Sequence, residues 1–565
     1  MKRRTIVGIL SLILVSVTAC SPSSTIPPPD RPPAPTYTPT PEPQVDTPAW
    51  FDDAILYEVF VRSFHDSDGD GIGDLPGLTS RLDYLQDLGV TAVWLMPIHP
   101  SPSYHGYDVT DYFAINPDYG SLGDVIAFVD EAHARGIRVI IDLVVNHTSD
   151  DHPIFQEAFA NPESRYADWF LWTNESHTTY QAFGGFKDMP RLKHEHPEVL
   201  AYTLDVARFW MDLDDDGDYS DGVDGFRCDV AKDVPLSTWQ VLKREMREIK
   251  PESLLLGEVW EGNAQRLIKW YDDAFDALFD YPLYHAIAKD HDTNLDSVLA
   301  GVQDPDLIDM FIIGQQNLFP SGYQVLRFVN NHDTNRIMSE VGGDWARARV
   351  AATLLLTLPG TPMIYYGEEI GMKGEKGDGT PYWDEFRREP MDWYESEEGA
   401  GMTNWFKASQ RFNAPHDGIS VEEQLGDDAS LWTHYQSLIG LRKAHRALRT
   451  GAFGKVQVDG AEKVYAYTRH APPAGEQLEE WFLIVLNFSD EPQTPSLALN
   501  LTYPGPFEAT DVLDEEPWPD LPADDVYRVE LAPTSGAVLR LNPPIDRHSQ
   551  AQAQAQGAQR ASYEK

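Results

Sequence analysis

The chain has 565 residues, with 44 basic against 90 acidic side chains, a formal net charge of −46, 42 % hydrophobic residues and 15 tryptophans. Charge of that sign excludes nucleic acid as a partner, because binding phosphates needs a basic patch, and it disfavours anionic lipid surfaces. The length exceeds one ordinary domain and the apolar content can bury a large core, so a globular, multidomain monomer is expected.

At the N-terminus MKRR precedes the apolar run TIVGILSLILVSV, and VTAC ends at Cys20. This is the layout of a secretory signal, and the run is shorter than the ~20 residues a membrane span needs. Its ending resembles a bacterial lipobox, which implies cleavage before Cys20 and a lipid anchor there. Residues 1–20 are therefore expected to be a lipoprotein signal peptide and 21–47 a Pro/Thr-rich linker, with the mature protein extracytoplasmic and membrane-anchored. The other cysteine, Cys228, then has no partner for a disulfide within one mature chain.

Apolar runs next alternate with helical patterns: Ile55–Val61, Ala92–Ile98, Ile137–Val144, Phe226–Val230, Leu254–Val259, a weaker run at Ala277–Tyr281, Val325–Asn330 and Pro362–Tyr366. Between two of them a helix is expected over roughly Leu236–Ile249. Strand alternating with helix implies a parallel sheet, and eight such runs suit an α/β (β/α)₈ TIM barrel whose strand C-termini build the active site. The barrel is assigned to 48–147 and 205–448, interrupted by an insertion at 148–204 rich in Asp, His, Trp and Tyr. After about Arg449, runs such as KVYAYTR (463–469), WFLIVLNFS (481–489) and AVLRLN (537–542), separated by Pro/Gly turns, predict a C-terminal β-sandwich over 449–545. The tail 546–565 lacks apolar residues for a core and is expected to be disordered.

Four segments end an apolar run in polar residues: IIDLVVNHT (140–148), GFRCDVA (225–231), LLLGEVW (254–260) and FVNNHD (328–333). Parallel strands would bring together three carboxylates at Asp229, Glu258 and Asp333, two histidines at His147 and His332, and Arg227, with Asp142 also pointing into the barrel. Taken singly, each would be a cap or a surface charge; six at the same end of their runs describe a site for cleaving an acetal. Arg227 lies two residues before Asp229 on one strand face, so its charge is expected to keep Asp229 ionised. The apolar surroundings of Glu258, with Asp229 and Asp333 near, are expected to raise its pKa toward the working pH.

On these four segments, and on GYDVTDYFAINPDYG (106–120), the chain resembles the α-amylase superfamily of glycoside hydrolases over roughly residues 50–545. The resemblance implies that Asp229 is the nucleophile, Glu258 the acid/base and Asp333 the third carboxylate, which binds sugar hydroxyls. It likewise implies substrate contacts from Tyr107, Asp108, His147, Arg227, Lys232, His332 and Arg336. The insertion becomes the family's domain B, in which KDMPRLKHEHPEV (187–199) resembles the fifth signature region with Lys193 where Asn is usual. GEVWEG (257–262) is similar to the α-amylase form, whereas RREPMDWY (387–394) is similar to a glucosidase and intermediate-subfamily motif. An endo-acting, retaining α-1,4-glucan hydrolase is expected; a 4-α-glucanotransferase, cyclomaltodextrinase or neopullulanase on the same site, or a non-catalytic glycan-binding lipoprotein, remain alternatives.

DSDGDGIGD (66–74) places Asp66, Asp68, Asp70, the Ile72 carbonyl and Asp74 at alternating positions, the spacing of a Ca²⁺ loop, although the closing Glu of an EF-hand is replaced by Gly77. It is similar to the calcium loop that many α-amylase relatives carry after the first strand. DLDDDGDYSDGVD (212–224) repeats the spacing, and Asp214, Asp216 and Asp218 are weaker candidates, because solvent can screen such a loop as well as a cation can neutralise it. The family's other calcium site implies Asn146, but its partner His is here Asp233.

Overall fold

The computed structural model describes residues 45–288, 297–379, 382–408, 411–499, 506–514, 517–521 and 526–542. The expected signal peptide, Cys20, the linker up to residue 44 and the tail 546–565 lie outside the described residues. Among the described residues no helix is long and apolar enough to cross a membrane.

Eight parallel strands close into a barrel in chain order: β1 (Leu56–Val59), β2 (Ala92–Leu95), β3 (Arg138–Leu143), β4 (Gly225–Cys228), β5 (Leu254–Gly257), β6 (Ala277–Phe279), β7 (Gln324–Arg327) and β8 (Thr361–Tyr365), with β8 pairing back onto β1. All eight expected runs are strands, and Leu236–Ile249 is a helix. The strands are shorter than the apolar runs, because each run continues into the loop that carries the polar residues.

Strand geometry sorts the side chains. Leu56, Trp94, Ile140, Leu254, Leu256, Ala277, Phe279, Leu326 and Met363 fill the barrel interior, while Val93, Val139, Ile141, Phe226 and Leu255 pack outward under the helices. Two residues beyond the inward Leu56 and Ile140, the same face presents Glu58 and Asp142, and Asp142 lies in register with Arg227 of the neighbouring strand. The interior thus changes from apolar to charged within one pleat of the upper rim.

The insertion after β3 contains a short α-helix (Pro153–Ala158), 3-10 turns at Ala167–Trp169 and Phe183–Gly185, and isolated bridges His147 to Arg191, Phe170 to Leu192 and Trp172 to Tyr180 around a small aromatic core. The expected boundary at residue 204 falls inside the helix Pro197–Met211. Along that helix Val199 joins the insertion's aromatic core, whereas Leu204, Val206, Ala207, Trp210 and Met211 join the main core. At the C-terminus a six-stranded antiparallel sheet faces a three-stranded one. In its central strand Glu480–Asn487, Leu483 and Val485 face the sandwich core while Phe482, Ile484 and Leu486 join the barrel's core. Burial on both faces explains why that strand reads as a continuous apolar run.

Candidate active site

Arg227 is the centre of the upper rim. Its Nη1 donates to Asp142 Oδ1 at 2.8 Å and to Asp229 Oδ1 at 2.7 Å, and its Nη2 lies 3.2 Å from Glu258 Oε2. One planar guanidinium therefore holds three carboxyl groups, a geometry its fork of donors suits. Its flat face lies over the Trp94 ring, 5.0 Å from the centroid. Glu258 also accepts the Val230 N–H at 2.9 Å and the Tyr281 hydroxyl at 3.2 Å. Val230 adopts a left-handed conformation (φ 46°, ψ 41°), which costs a β-branched residue roughly 1–3 kcal/mol and directs its N–H at Glu258. Asp229 Oδ2, in contrast, is buried without a hydrogen-bond partner. That oxygen keeps its lone pairs for an incoming electrophile.

A second cluster surrounds His332. Its Nδ1 donates to Glu58 Oε1 at 2.5 Å, and its Nε2 lies 3.1 Å from Asp333 Oδ2 and 2.7 Å from the Tyr107 hydroxyl. Burial opposes charge on this ring, but Asp333 and Glu58 outweigh it and raise its pKa to about 9. Asp333 receives Arg388 Nη2 on its other oxygen at 3.2 Å. Desolvation works against its ionisation, and His332 and Arg388 hold it well below the usual carboxylate range. Its side chain is 30 % exposed where that of His332 is 1 %, so the charged carboxylate is the part of this cluster that a ligand can reach.

The carboxyls on Arg227 behave differently. Burial drives Asp142 up to about 7, with Arg227 opposing and Asp229 adding. Burial likewise raises Glu258, Arg227 pulls it back, and Asp229 and Asp333 push it up again. Asp229 is raised by burial too, against the contact with Arg227. One cation faces three buried carboxyls, so the cluster resists full ionisation. A proton donor next to a carboxylate with a free oxygen is the equipment for general-acid and nucleophilic attack on an acetal.

The α-amylase catalytic-domain family profile matches residues 58–451. The chain is 37 % identical over 428 residues to "Alpha-amylase 3" of Dictyoglomus thermophilum, covering 72 % of this chain and 80 % of that one. It is 31 % identical over 539 residues to "Probable oligo-1,6-glucosidase 2" of Bacillus subtilis, covering 78 % and 91 %. Among solved structures, the α-amylase from H. orenii superposes with a TM-score of 0.72 at 34 % identity, covering 86 % of this chain and 99 % of that chain. The chain belongs to the α-amylase family. It is a glycoside hydrolase, and an α-glucan is its substrate class.

Within this family member, the rim brings together Tyr107, Arg227, Asp229, Glu258, His332 and Asp333 as the sequence implied. The remaining expected contacts have the following surroundings. His147 is fully buried, its Nε2 donating to the Tyr107 carbonyl at 3.1 Å and its ring stacked on Phe183, and burial lowers it to about 4. Asp108 is buried and accepts from the Ser101 hydroxyl at 2.5 Å and from Ser103, bonds that fix its loop. Lys232 is exposed and donates to the Trp260 carbonyl at 3.2 Å. Arg336 is a correction to the expected substrate contacts: it is fully buried, donates to the Arg387 and Tyr366 carbonyls at 2.9 and 2.6 Å, and lies over the Tyr365 and Tyr366 rings. Sequence reasoning missed Glu58, Tyr281 and Arg388 as parts of the site. Glu58 left a signal, an inward acid inside the apolar strand LYEV; Arg388 sat in a motif read only for subfamily.

In the first acid loop, oxygens of Asp66, Asp68 and Asp74 lie within 4.8 Å of one another. Asp66 accepts the N–H groups of Gly69 and Gly71 at 2.6 and 2.7 Å, and Asp74 caps the helix Leu75–Thr79 through the Gly77 N–H. Three converging carboxylates form a hard-oxygen set that suits Ca²⁺. Asp70 stands outside this trio, its oxygen bound to the Ile72 N–H at 2.7 Å. In the second loop the trio is Asp212, Asp214 and Asp216, mostly exposed, while Asp218 accepts from Ser220 N–H. This loop precedes β4, at the opposite barrel end from Asn146, which follows β3, so Asn146 cannot share an ion with it. Asn146 Nδ2 lies 3.2 Å from His147 Nδ1, and Arg191 donates to the Asp233 carbonyl at 2.6 Å, with its Nη1 3.9 Å from the Asp233 carboxylate.

Proposed function

We infer that this enzyme is an endo-acting α-amylase that hydrolyses α-1,4 bonds of starch and maltodextrins with retention, Asp229 attacking and Glu258 donating the proton. The observation that carries the reading is the single Arg227 guanidinium shared by Asp229 and Glu258: it sets both carboxyls side by side, with an unbonded oxygen on Asp229 while both oxygens of Glu258 have partners. Retaining enzymes hold that pair roughly 5–5.5 Å apart. Asp333, kept ionised beside His332 and Arg388, would bind sugar hydroxyls and favour the distorted ring. The similarity to an oligo-1,6-glucosidase across 91 % of that protein, together with RREPMDWY, supports a second, intermediate specificity that includes α-1,6 bonds.

Ca²⁺ is proposed as a structural ion held by Asp66, Asp68 and Asp74, where it would neutralise the loop. Secretion and a lipid on Cys20 complete the proposal, and labelling with a radioactive fatty acid, lost in Cys20→Ser, tests the anchor. The activity is tested by incubating the protein with maltoheptaose and with starch beside Asp229→Asn, resolving products over time. Short maltooligosaccharides from both substrates, absent with the variant, are expected. Products longer than heptaose would make it a transferase, and no variant-sensitive product would sink the amylase reading.

A further inference from the structure

The first acid loop and the third carboxylate are joined by a continuous set of contacts. The strap 401–405 closes over the loop: the Asp66 N–H donates to the Gly401 carbonyl at 2.9 Å and the Asn404 N–H to the Gly71 carbonyl at 2.8 Å. The fit is tight, since a Cβ on Gly71 would lie 2.3 Å from Asn404 Oδ1. Trp405, next along the strap, donates its Nε1–H to Ser63 Oγ at 2.8 Å, and the Ser63 hydroxyl donates onward to the Arg388 carbonyl at 2.6 Å. Its ring stacks on Tyr104 at 5.2 Å and 19°, and the Arg388 guanidinium lies over the same tyrosine ring, 5.7 Å from its centroid. Arg388 then donates through Nε to the His332 carbonyl and through Nη2 to Asp333 Oδ1, both at 3.2 Å.

We propose that Ser63 and Trp405 are positioning residues that fix Arg388 against Asp333, and that through them the state of the 66–74 loop sets the rate of the reaction. Arg388 is held at two points, its backbone by Ser63 and its side chain by Tyr104, and Trp405 braces both. A displaced strap would move the guanidinium off Asp333 and loosen the carboxylate that grips the distorted sugar. The effect falls on kcat more than on KM, because that grip strengthens in the transition state. This rests on the amylase reading of Asp333, and its link to an ion rests on the calcium reading of the loop.

The test is a double-mutant cycle of Trp405→Ala and Asp68→Asn on maltoheptaose hydrolysis, with Trp405→Phe alongside and melting temperatures taken in Ca²⁺ and in EDTA. Trp405→Ala is expected to lower kcat about tenfold with KM within about twofold, and Trp405→Phe, which keeps the stack but loses the bond to Ser63, to recover part of it. Asp68→Asn alone should lower kcat severalfold but add little to Trp405→Ala. Multiplicative effects in the double variant or an unchanged kcat in either single variant would overturn the coupling. A melting temperature indifferent to Ca²⁺ would overturn the calcium reading alone, since the cycle still decides whether loop and site communicate. Inactivity of the parent protein together with Asp229→Asn would instead mark failure of the amylase reading.

Discussion

The two ends of the barrel each bury a charge cluster, and the clusters are inverses. At the N-terminal end Asp224 accepts from His133 at 2.7 Å, Arg138 at 2.8 Å and the Val139 N–H at 2.8 Å, and lies 3.2 Å from Lys250. At the C-terminal end Arg227 faces Asp142, Asp229 and Glu258. One acid among three bases is fully satisfied: burial opposes its charge, but His133 and Lys250 hold Asp224 far below the ordinary value. One base among three acids is not, and leaves carboxyls with raised pKa values and one oxygen without a partner. The first arrangement ties strands together and the second is poised to react, the division of labour expected of this barrel's two faces.

The comparison is broken most severely at Asp229. Asp229→Asn should cost at least about 10⁴-fold in kcat. It should leave the melting temperature level or raised, because it relieves a cluster with excess acid; a large drop in melting temperature would mean that this end is structural as well. Asp224→Asn should do the reverse. It strands partly solvated bases around a buried site, so about 3 kcal/mol of stability should go, read by urea unfolding, with kcat per folded molecule unchanged. A fall in kcat at full folding would contradict the separation of the two ends.

The pH dependence sharpens the contrast. Asp224 has a depressed pKa, so its contribution is present above the ordinary value of 3.8 and is lost as pH falls below it. His332 is raised from 6.5 to about 9, so its contribution is present below pH 6.5 and is lost as pH rises through about 9. Asp142, raised to about 7, makes the upper end lose stability in the same direction. Stability followed by urea unfolding from pH 6.5 to 9 should decline by about 2 kcal/mol from His332, and His332→Gln should flatten that slope. An unaltered slope would mean that the imidazole is neutral between its two carboxylates.

Much of this was legible because period and spacing are local. Eight apolar runs with helices between them give the barrel, and side-chain alternation puts Arg227 and Asp229 on one face. Arg336 was expected at the substrate from the family resemblance; only packing showed it fully buried, with Nε and Nη1 donating to carbonyls beside the Tyr365 and Tyr366 rings. Val230 gave no warning at all, since a β-branched residue is among the poorest choices for a left-handed backbone.

The sequence by itself determined the barrel, the order of its strands and which carboxylates rise to one rim, since these follow from apolar periodicity and from short-range spacing along each strand. Tertiary structure alone decided which of those groups share a cation, which oxygen stays free and which arginine is locked beneath the floor. Those outcomes depend on partners far apart in the chain, Glu58 with His332 and Ser63 with Arg388, and on a burial that no single segment contains.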